Sequence, residues 1–378
     1  MTLEQQDKKY LLQTYARDYT NFINGKGSTL YDDKGRDYID FASGIGVNSV
    51  GHSNDKLVEA ISNQAKNIIH ISNLQVIKPQ VQLAQKIVEL SGYDMGVFFA
   101  NSGAEANEGA IKIARKYGET KFANKRYKVI TLEHSFHGRT ITTVKATGQE
   151  SFHTTYFSPY PDGFSYEKNI EDVYKAIDDE TVAVLIELVQ GEGGVQPFDK
   201  DEIQKLALHL KSKDILLIID EVQTGVYRSG EFLASNLYEI EPDIITLAKG
   251  LGGGVPIGAV MTSHKDIFSA GDHGSTFGGN YLSCSAGLAV LDVLSGLYDE
   301  GLIDESIIHF SSKLSDIATR YTNLFEKDVG LGLMRGLRAK SATIQASIIK
   351  ECMKNGLVVL KAGRNTVRFL PKIGRAHV

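Results

Sequence analysis

The chain has 378 residues, 42% of them hydrophobic and 23% charged, an ordinary globular composition with enough apolar material for a large core. A formal net charge of -5 lacks the cationic footprint of a nucleic-acid or anionic-membrane binder, so small soluble substrates are expected. Two cysteines, Cys284 and Cys352, exclude a disulfide framework; the polar start at Met1-Thr2-Leu3-Glu4 is unlike a signal peptide, and no uninterrupted apolar run of about 18 to 20 residues reads as a membrane span. The expectation is a cytoplasmic protein.

Residues 30–41 read as two strands around a Lys34-Gly35 turn, a small β element near the start. Amphipathic spacing then predicts helices over 55–68 and 80–90, followed by a strand over 97–100. Directly after that strand comes Asn101-Ser102-Gly103-Ala104-Glu105, opening a helix expected over 104–117. A strand-to-helix junction with a hydroxyl, a glycine and free backbone N–H groups suits a phosphate, although a capped helix start reads the same way.

The next strand, 128–131, leads to Ser135-Phe136-His137-Gly138-Arg139-Thr140, which combines an aromatic face for a planar ring with a guanidinium fork for a carboxylate. His134 and His137 stand three apart, but no third ligand of suitable type follows, so no metal site is expected. After a strand over 182–186, Gln190-Gly191-Glu192-Gly193-Gly194 sets a carboxylate in a flexible loop. A helix over 201–211 precedes a strand over 215–219. These near-continuous apolar strands, separated by helices, are the pattern of a parallel sheet covered on both faces.

Asp220 ends that strand, where open α/β sheets place their ligands. Its plain reading is a turn cap, and its functional reading is a carboxylate that keeps a pyridine nitrogen protonated. Lys249 lies 29 residues further on, after the strand 244–247 and before Gly250-Leu251-Gly252-Gly253-Gly254. A lysine at the tip of a buried strand, with permissive backbone around it, is suited to hold a carbonyl cofactor as an imine. A helix over 280–298 follows, and the chain from about Leu291 mixes helix and short strand. Gly330-Leu331-Gly332-Leu333-Met334-Arg335-Gly336 misses the dinucleotide fingerprint in its last interval.

The ordered set Ser102-Gly103-Ala104-Glu105-Ala106-Asn107, Ser135-Phe136-His137-Gly138-Arg139-Thr140, Gln190-Gly191-Glu192-Gly193-Gly194, Asp220-Glu221-Val222-Gln223-Thr224-Gly225 and Ala248-Lys249-Gly250 resembles the class III pyridoxal-phosphate aminotransferases. The resemblance implies an α/β chain of fold type I, with a large doubly wound, mostly parallel domain and a small α+β domain built from both termini. The corresponding division is 1–50 and 291–378 for the small domain and 51–290 for the large one, in a homodimer with shared sites. It implies pyridoxal 5'-phosphate as cofactor, with Lys249 as its covalent lysine and Asp220 at the pyridine nitrogen. Ser102, Gly103 and Ala104 would cradle the phosphate, Phe136 would stack on the ring, and Glu221, Val222 and Gln223 would complete the cofactor site. Thr276 would reach the phosphate of a neighbouring subunit, with Ser275 beside it touching substrate. Arg139 would take a substrate carboxylate, and Arg368 would bind the α-carboxylate of glutamate, masked otherwise by Glu192.

Within the family the chain is most similar to members that move the δ-amine of N-acetylornithine to 2-oxoglutarate. Ornithine, succinylornithine, succinyldiaminopimelate and 4-aminobutyrate stay open as donors. A nucleotide-binding protein and a non-catalytic homologue are the readings from other classes. Against the family pattern, Leu188 stands in place of proline, Gln75-Val76 replace an aromatic pair, 326–330 is short, and the tail after Pro371 is atypical and is left out of the fold reading.

Overall fold

A computed structural model describes residues 1–123 and 125–374. The chain opens with helix α1 (Leu3–Tyr10), whose Thr2 and Gln5 form a reciprocal cap. Strands β1 (Phe22–Lys26), β2 (Thr29–Asp32) and β3 (Asp37–Asp40) then form an antiparallel meander. A single turn, α2 (Ser43–Gly46), follows, with Gly44 and Ile45 at positive φ. Helix α3 (Asp55–Asn67) is capped by Asn54, and α4 (Lys78–Ser91) starts with a proline in its first turn and stops at Gly92 in the left-handed conformation.

From there strands and helices alternate. Strand β4 (Gly96–Ala100) feeds α5 (Gly103–Lys121), and β5 (Lys128–Leu132) feeds the short α6 (Ile141–Ala146). After two single 3-10 turns come β6 (Phe164–Glu167), α7 (Ile170–Ala176) and β7 (Thr181–Ile186). A two-residue ribbon, β8 (Val189–Gln190) with β9 (Gln196–Pro197), precedes α8 (Lys200–Ser212), which is capped by Asp199. Strand β10 (Leu216–Asp220), the turn α9 (Ala234–Leu237), β11 (Ile244–Leu247) and β12 (Gly258–Thr262) complete the central layer.

The seven large strands form one sheet in the order β4-β12-β11-β10-β7-β5-β6. Only β12 runs against the others, pairing antiparallel with β11 on one side and β4 on the other. Every residue of β7, β10, β11 and β12 is buried. That burial on both faces explains their unbroken apolar sequence.

Helix α10 (Tyr281–Asp299) runs through residue 290, the boundary expected from sequence. With a mean hydropathy of 1.3 over 18 residues it is long and apolar enough to cross a membrane, but Cys284, Ala286, Val290, Leu291 and Leu294 share one core with Leu57 of α3 and Leu83 and Ile87 of α4. Beyond it, α11 (Leu302–Arg320), β13 (Phe325–Leu331), β14 (Met334–Ala339), α12 (Ala342–Lys354), β15 (Leu357–Val358), β16 (Leu360–Ala362) and β17 (Thr366–Phe369) follow. Strand β13, which contains the stretch short for the family, pairs with β14, and β17 lies between β14 and β16.

The two ends of the chain meet where β15 pairs parallel with β3, Leu357 opposite Ile39. Leaving out the tail from the fold is corrected as far as Gly374. Ile373 is 2% exposed, sits in the same core as Leu57, and donates its N–H to the Ser49 carbonyl at 2.7 Å. Residues 375–378, the rest of that tail, lie outside the described residues.

Candidate active site

Register across the sheet sets the chemistry in a row. Ile219 stands opposite Ile186, so the next residues, Asp220 and Glu187, emerge together from the ends of β10 and β7. On the other side Asp220 is opposite Thr246 of β11, with Lys249 three residues further along. All three side chains line one cavity of about 430 Å³, at the carboxyl ends of the parallel strands.

Lys249 begins a 3-10 turn at φ 41°, in the left-handed region that non-glycine residues rarely occupy. Such local strain persists only where the surroundings impose it. Burial lowers the Lys249 pKa, opposed by the charge of Asp220 and reinforced by Arg368. A larger share of the amine is therefore neutral than in a lysine in water.

Asp220 is 4% exposed. Its Oδ2 accepts from Asn107 Nδ2 and from His137 Nδ1, each at 2.8 Å, and its Oδ1 accepts from the Val222 N–H at 3.0 Å. Burial pushes this carboxyl up, but the hydrogen bonds and electrostatic attraction of His137, together with Asn107, outweigh it and hold it below its ordinary value. Asn107 is fixed in turn by Thr246, whose hydroxyl donates to Asn107 Oδ1 at 2.8 Å. His137 Nε2 is buried and has no hydrogen-bond partner among the described residues.

The end of β4 supplies a cradle. Ser102 caps α5, its hydroxyl accepting from Glu105 N at 3.2 Å, and the 19-residue helix aims its positive end at the cavity. A Cβ on Gly103 would come within 2.7 Å of Val222 Cγ1, so only glycine lets this turn lie against Val222. Ser102, Gly103, Ala104, Val222 and Gln223 all line the cavity. Phe136 and Arg139 line it as well, and the guanidinium carbon of Arg139 lies 5.3 Å from the Phe136 ring centre and 3.8 Å from that of Phe152.

Beside the cavity, Glu192 Oε1 and Arg368 Nη1 form an ion pair at 2.7 Å, and the same nitrogen donates to Gln223 Oε1 at 3.2 Å. Arg368 is 2% exposed on β17, so the carboxyl-terminal sheet delivers a buried cation to the central site.

Three expected site residues lie elsewhere. Glu221 is corrected: its carboxylate accepts from Ala234 N at 3.1 Å and from Ser235 N and Oγ at 2.7 and 2.8 Å, capping α9 away from the cavity. Ser275 and Thr276 line a separate hollow with Asn73 and Leu74. Ser275 Oγ accepts from Asn101 Nδ2 at 3.1 Å, which sets that hollow just behind the cradle.

Sequence reasoning left out Glu187, Asn107 and His137 as site residues. Glu187 accepts from Phe136 N at 2.9 Å and Gly191 N at 3.1 Å, and burial raises its pKa to about 7. Its position straight after a buried strand is the same signal that marked Asp220. Among the described residues no group of three or more His, Cys, Asp or Glu side chains is placed to hold a metal.

A cradle for an anion, an ionised acid at the floor and an amine of lowered pKa in one cavity define an enzyme that works on amines through a carbonyl cofactor. A family model for aminotransferase class-III matches residues 14–374, and the chain belongs to that family, whose members use pyridoxal phosphate. The acetylornithine aminotransferase of Wolinella succinogenes is 62% identical over 371 residues, covering 98% of this chain and 94% of that one. Among solved structures, the ornithine aminotransferase of Toxoplasma gondii superposes with a TM-score of 0.90 at 31% identity, covering 97% of this chain and 89% of that one. The N-acetylornithine aminotransferase of Stenotrophomonas maltophilia gives 0.82 at 30%, covering 98% and 93%.

The residues present fit the cofactor. The start of α5 offers free backbone N–H groups to a phosphate, Asp220 Oδ1 accepts a single hydrogen bond among the described residues, and Lys249 stands in the same cavity.

Proposed function

We propose that the chain transfers the δ-amine of N-acetylornithine to 2-oxoglutarate, giving N-acetylglutamate 5-semialdehyde and glutamate, a step of arginine biosynthesis. The observation that carries this reading is the Glu192–Arg368 pair at 2.7 Å beside the lysine cavity. The two substrates differ in how many carboxylates enter the site, and a cation that can be masked or exposed serves both. The 62% identity to the Wolinella succinogenes acetylornithine aminotransferase supports the choice of donor.

Bound in the cavity, pyridoxal phosphate supplies a carbonyl that bonds reversibly to amines and a ring that stabilises negative charge on the neighbouring carbon. Ser102, Gly103 and Ala104 would hold its phosphate, Phe136 would cover its ring, and Gln223 would complete the site beside them. Asp220, held below its ordinary pKa, would keep the ring nitrogen protonated. Lys249 would hold the cofactor through its amine and would move a proton as a neutral amine, for which its lowered pKa suits it. Arg139 takes a substrate carboxylate at the cavity mouth. Glu192 covers Arg368 while the amine donor is bound and releases it to the α-carboxylate of the dicarboxylate.

The site is completed in a homodimer. Leu74 and Val81, 89% and 56% exposed, line the hollow that holds Thr276, and Phe277, 61% exposed, packs on its His70, an apolar surface that a second copy would cover. Thr276 then reaches the partner's phosphate cradle. The small domain comprises residues 1–50 and the chain after α10, tied by β15 against β3. The compartment we assign is the cytoplasm.

Purified protein with pyridoxal phosphate is expected to absorb in the visible, and Lys249→Ala is expected to lose the borohydride-fixed link and nearly all turnover. A panel of amine donors with 2-oxoglutarate then tests the donor. A higher kcat/KM for free ornithine or 4-aminobutyrate would overturn the choice of N-acetylornithine.

A further inference from the structure

Arg139 is exposed, lines the cavity and, among the described residues, has no salt bridge; its guanidinium lies over two aromatic rings. At 3.8 Å from the Phe152 ring centre, its guanidinium carbon is in van der Waals contact with the ring. The five N–H donors of a guanidinium lie in its plane, so a ring against its face leaves the fork open to a carboxylate. Phe152 in turn meets Phe136 edge to face, with ring centres 6.2 Å apart and planes at 79°.

The segment that carries Phe152 is fastened. Gly148 N donates to Ser135 Oγ at 2.9 Å, Gln149 Nε2 donates to the Ser135 carbonyl at 3.0 Å, and a 3-10 turn over Glu150–Phe152 sets the ring. The Tyr160 hydroxyl donates to the Thr154 carbonyl at 2.9 Å from the other side. The bonds from Gly148 and Gln149 both end on Ser135, in the loop that holds Phe136 and Arg139, so the ring is tied to the segment that carries the arginine.

The geometry points to Phe152 as a specificity-determining residue, which seats Arg139 against its ring so that the guanidinium fork is already presented to the carboxylate of the amine donor. The inference rests on the reading of Arg139 as a carboxylate site. An unsupported arginine at a cavity mouth spreads over many rotamers, and binding must freeze them. The ring freezes most of them beforehand and adds an attraction that survives when the carboxylate arrives.

The test uses the holoenzyme in the donor half-reaction alone, followed by cofactor absorbance in single turnovers, with N-acetylornithine and with butylamine, which has no carboxylate. Phe152→Leu is expected to raise the half-saturating concentration of N-acetylornithine about tenfold, with little change in the limiting rate. The rise for butylamine should be several times smaller, and Phe152→Tyr should restore the native value. Equal rises for both amines would show a merely structural role and overturn the inference. So would an unchanged value for N-acetylornithine in Phe152→Leu when Arg139→Lys raises it. If Arg139→Lys itself changes nothing, the carboxylate site and the inference fall together. Should Phe152→Leu not fold, Phe152→Met keeps the volume without the ring and serves the same comparison.

Discussion

Replacing Glu192 with glutamine keeps the shape of the side chain and removes its charge from the pair with Arg368. The pair is short, 2.7 Å, and one partner is 2% exposed while the other side chain is 32% exposed. A charge-assisted hydrogen bond contributes about 1.5 to 3 kcal/mol, and the partial exposure of Glu192 favours the lower end. An incoming α-carboxylate must first break that contact. Without it, glutamate and 2-oxoglutarate should gain about 1 to 2 kcal/mol, or roughly fivefold to thirtyfold in kcat/KM. N-acetylornithine gains nothing, because the same change leaves a buried cation unmasked beside it. The measurement is kcat/KM for each half-reaction taken separately. If the ratio of glutamate to N-acetylornithine stays within about twofold of the parent, the masking role of Glu192 is refuted.

Two further outcomes follow from side chains the mechanism leans on less directly. The Glu187 pKa is raised from 4.5 to about 7, so the folded chain binds this proton more tightly than the unfolded one. Its contribution is fully present below pH 4.5 and is lost as pH rises to about 7, on the order of 3 kcal/mol at 1.36 kcal/mol per pH unit. The melting temperature of Glu187→Gln should therefore fall less than that of the parent between pH 5 and 7, and parallel curves would sink the assignment. Gly103→Ala places a methyl 2.7 Å from Val222 Cγ1, an overpacking worth about 1 to 3 kcal/mol. Cofactor affinity measured by absorbance titration should drop about tenfold or more, with Val222→Ala in the same chain recovering most of it. No recovery in the double variant would separate the cradle from this contact.

The strands that carry Asp220 and Lys249 were legible because a parallel strand buried on both faces is written as one apolar run. Strand β12 was not, since Gly258-Ala259-Val260-Met261-Thr262 gains its place only from non-local pairing with β11 and β4. Edge strand β6 has four half-buried residues and offers no such run. The placement of the Glu221 side chain away from the cavity has a geometric cause. Successive side chains of an extended chain point to opposite sides, so an Asp220 that faces the cavity sends Glu221 the other way, into the cap of α9. Family likeness groups the two residues, whereas the pleat sends one side chain to the cavity and the other to α9.

Three acids at this edge of the sheet, Glu187, Asp220 and Glu221, are 6%, 4% and 1% exposed, so burial does not distinguish them. Glu187 takes two backbone N–H bonds, and its proton still stays on to about pH 7. Glu221 takes bonds from Thr224, Ala234 and Ser235, and it too is raised. Asp220 alone is lowered, and it alone has the His137 ring at 2.8 Å as well as an amide donor. Backbone dipoles reduce the cost of a buried charge, and the charge of His137 favours ionised Glu187 as well without overcoming its burial; what Asp220 has in addition is the direct hydrogen bond from the His137 ring and the one from Asn107. His137, rejected from the sequence as half of a metal pair, is therefore the neighbour that sets Asp220 apart from the other two acids. Asn107 and Thr246 decide where that anion sits.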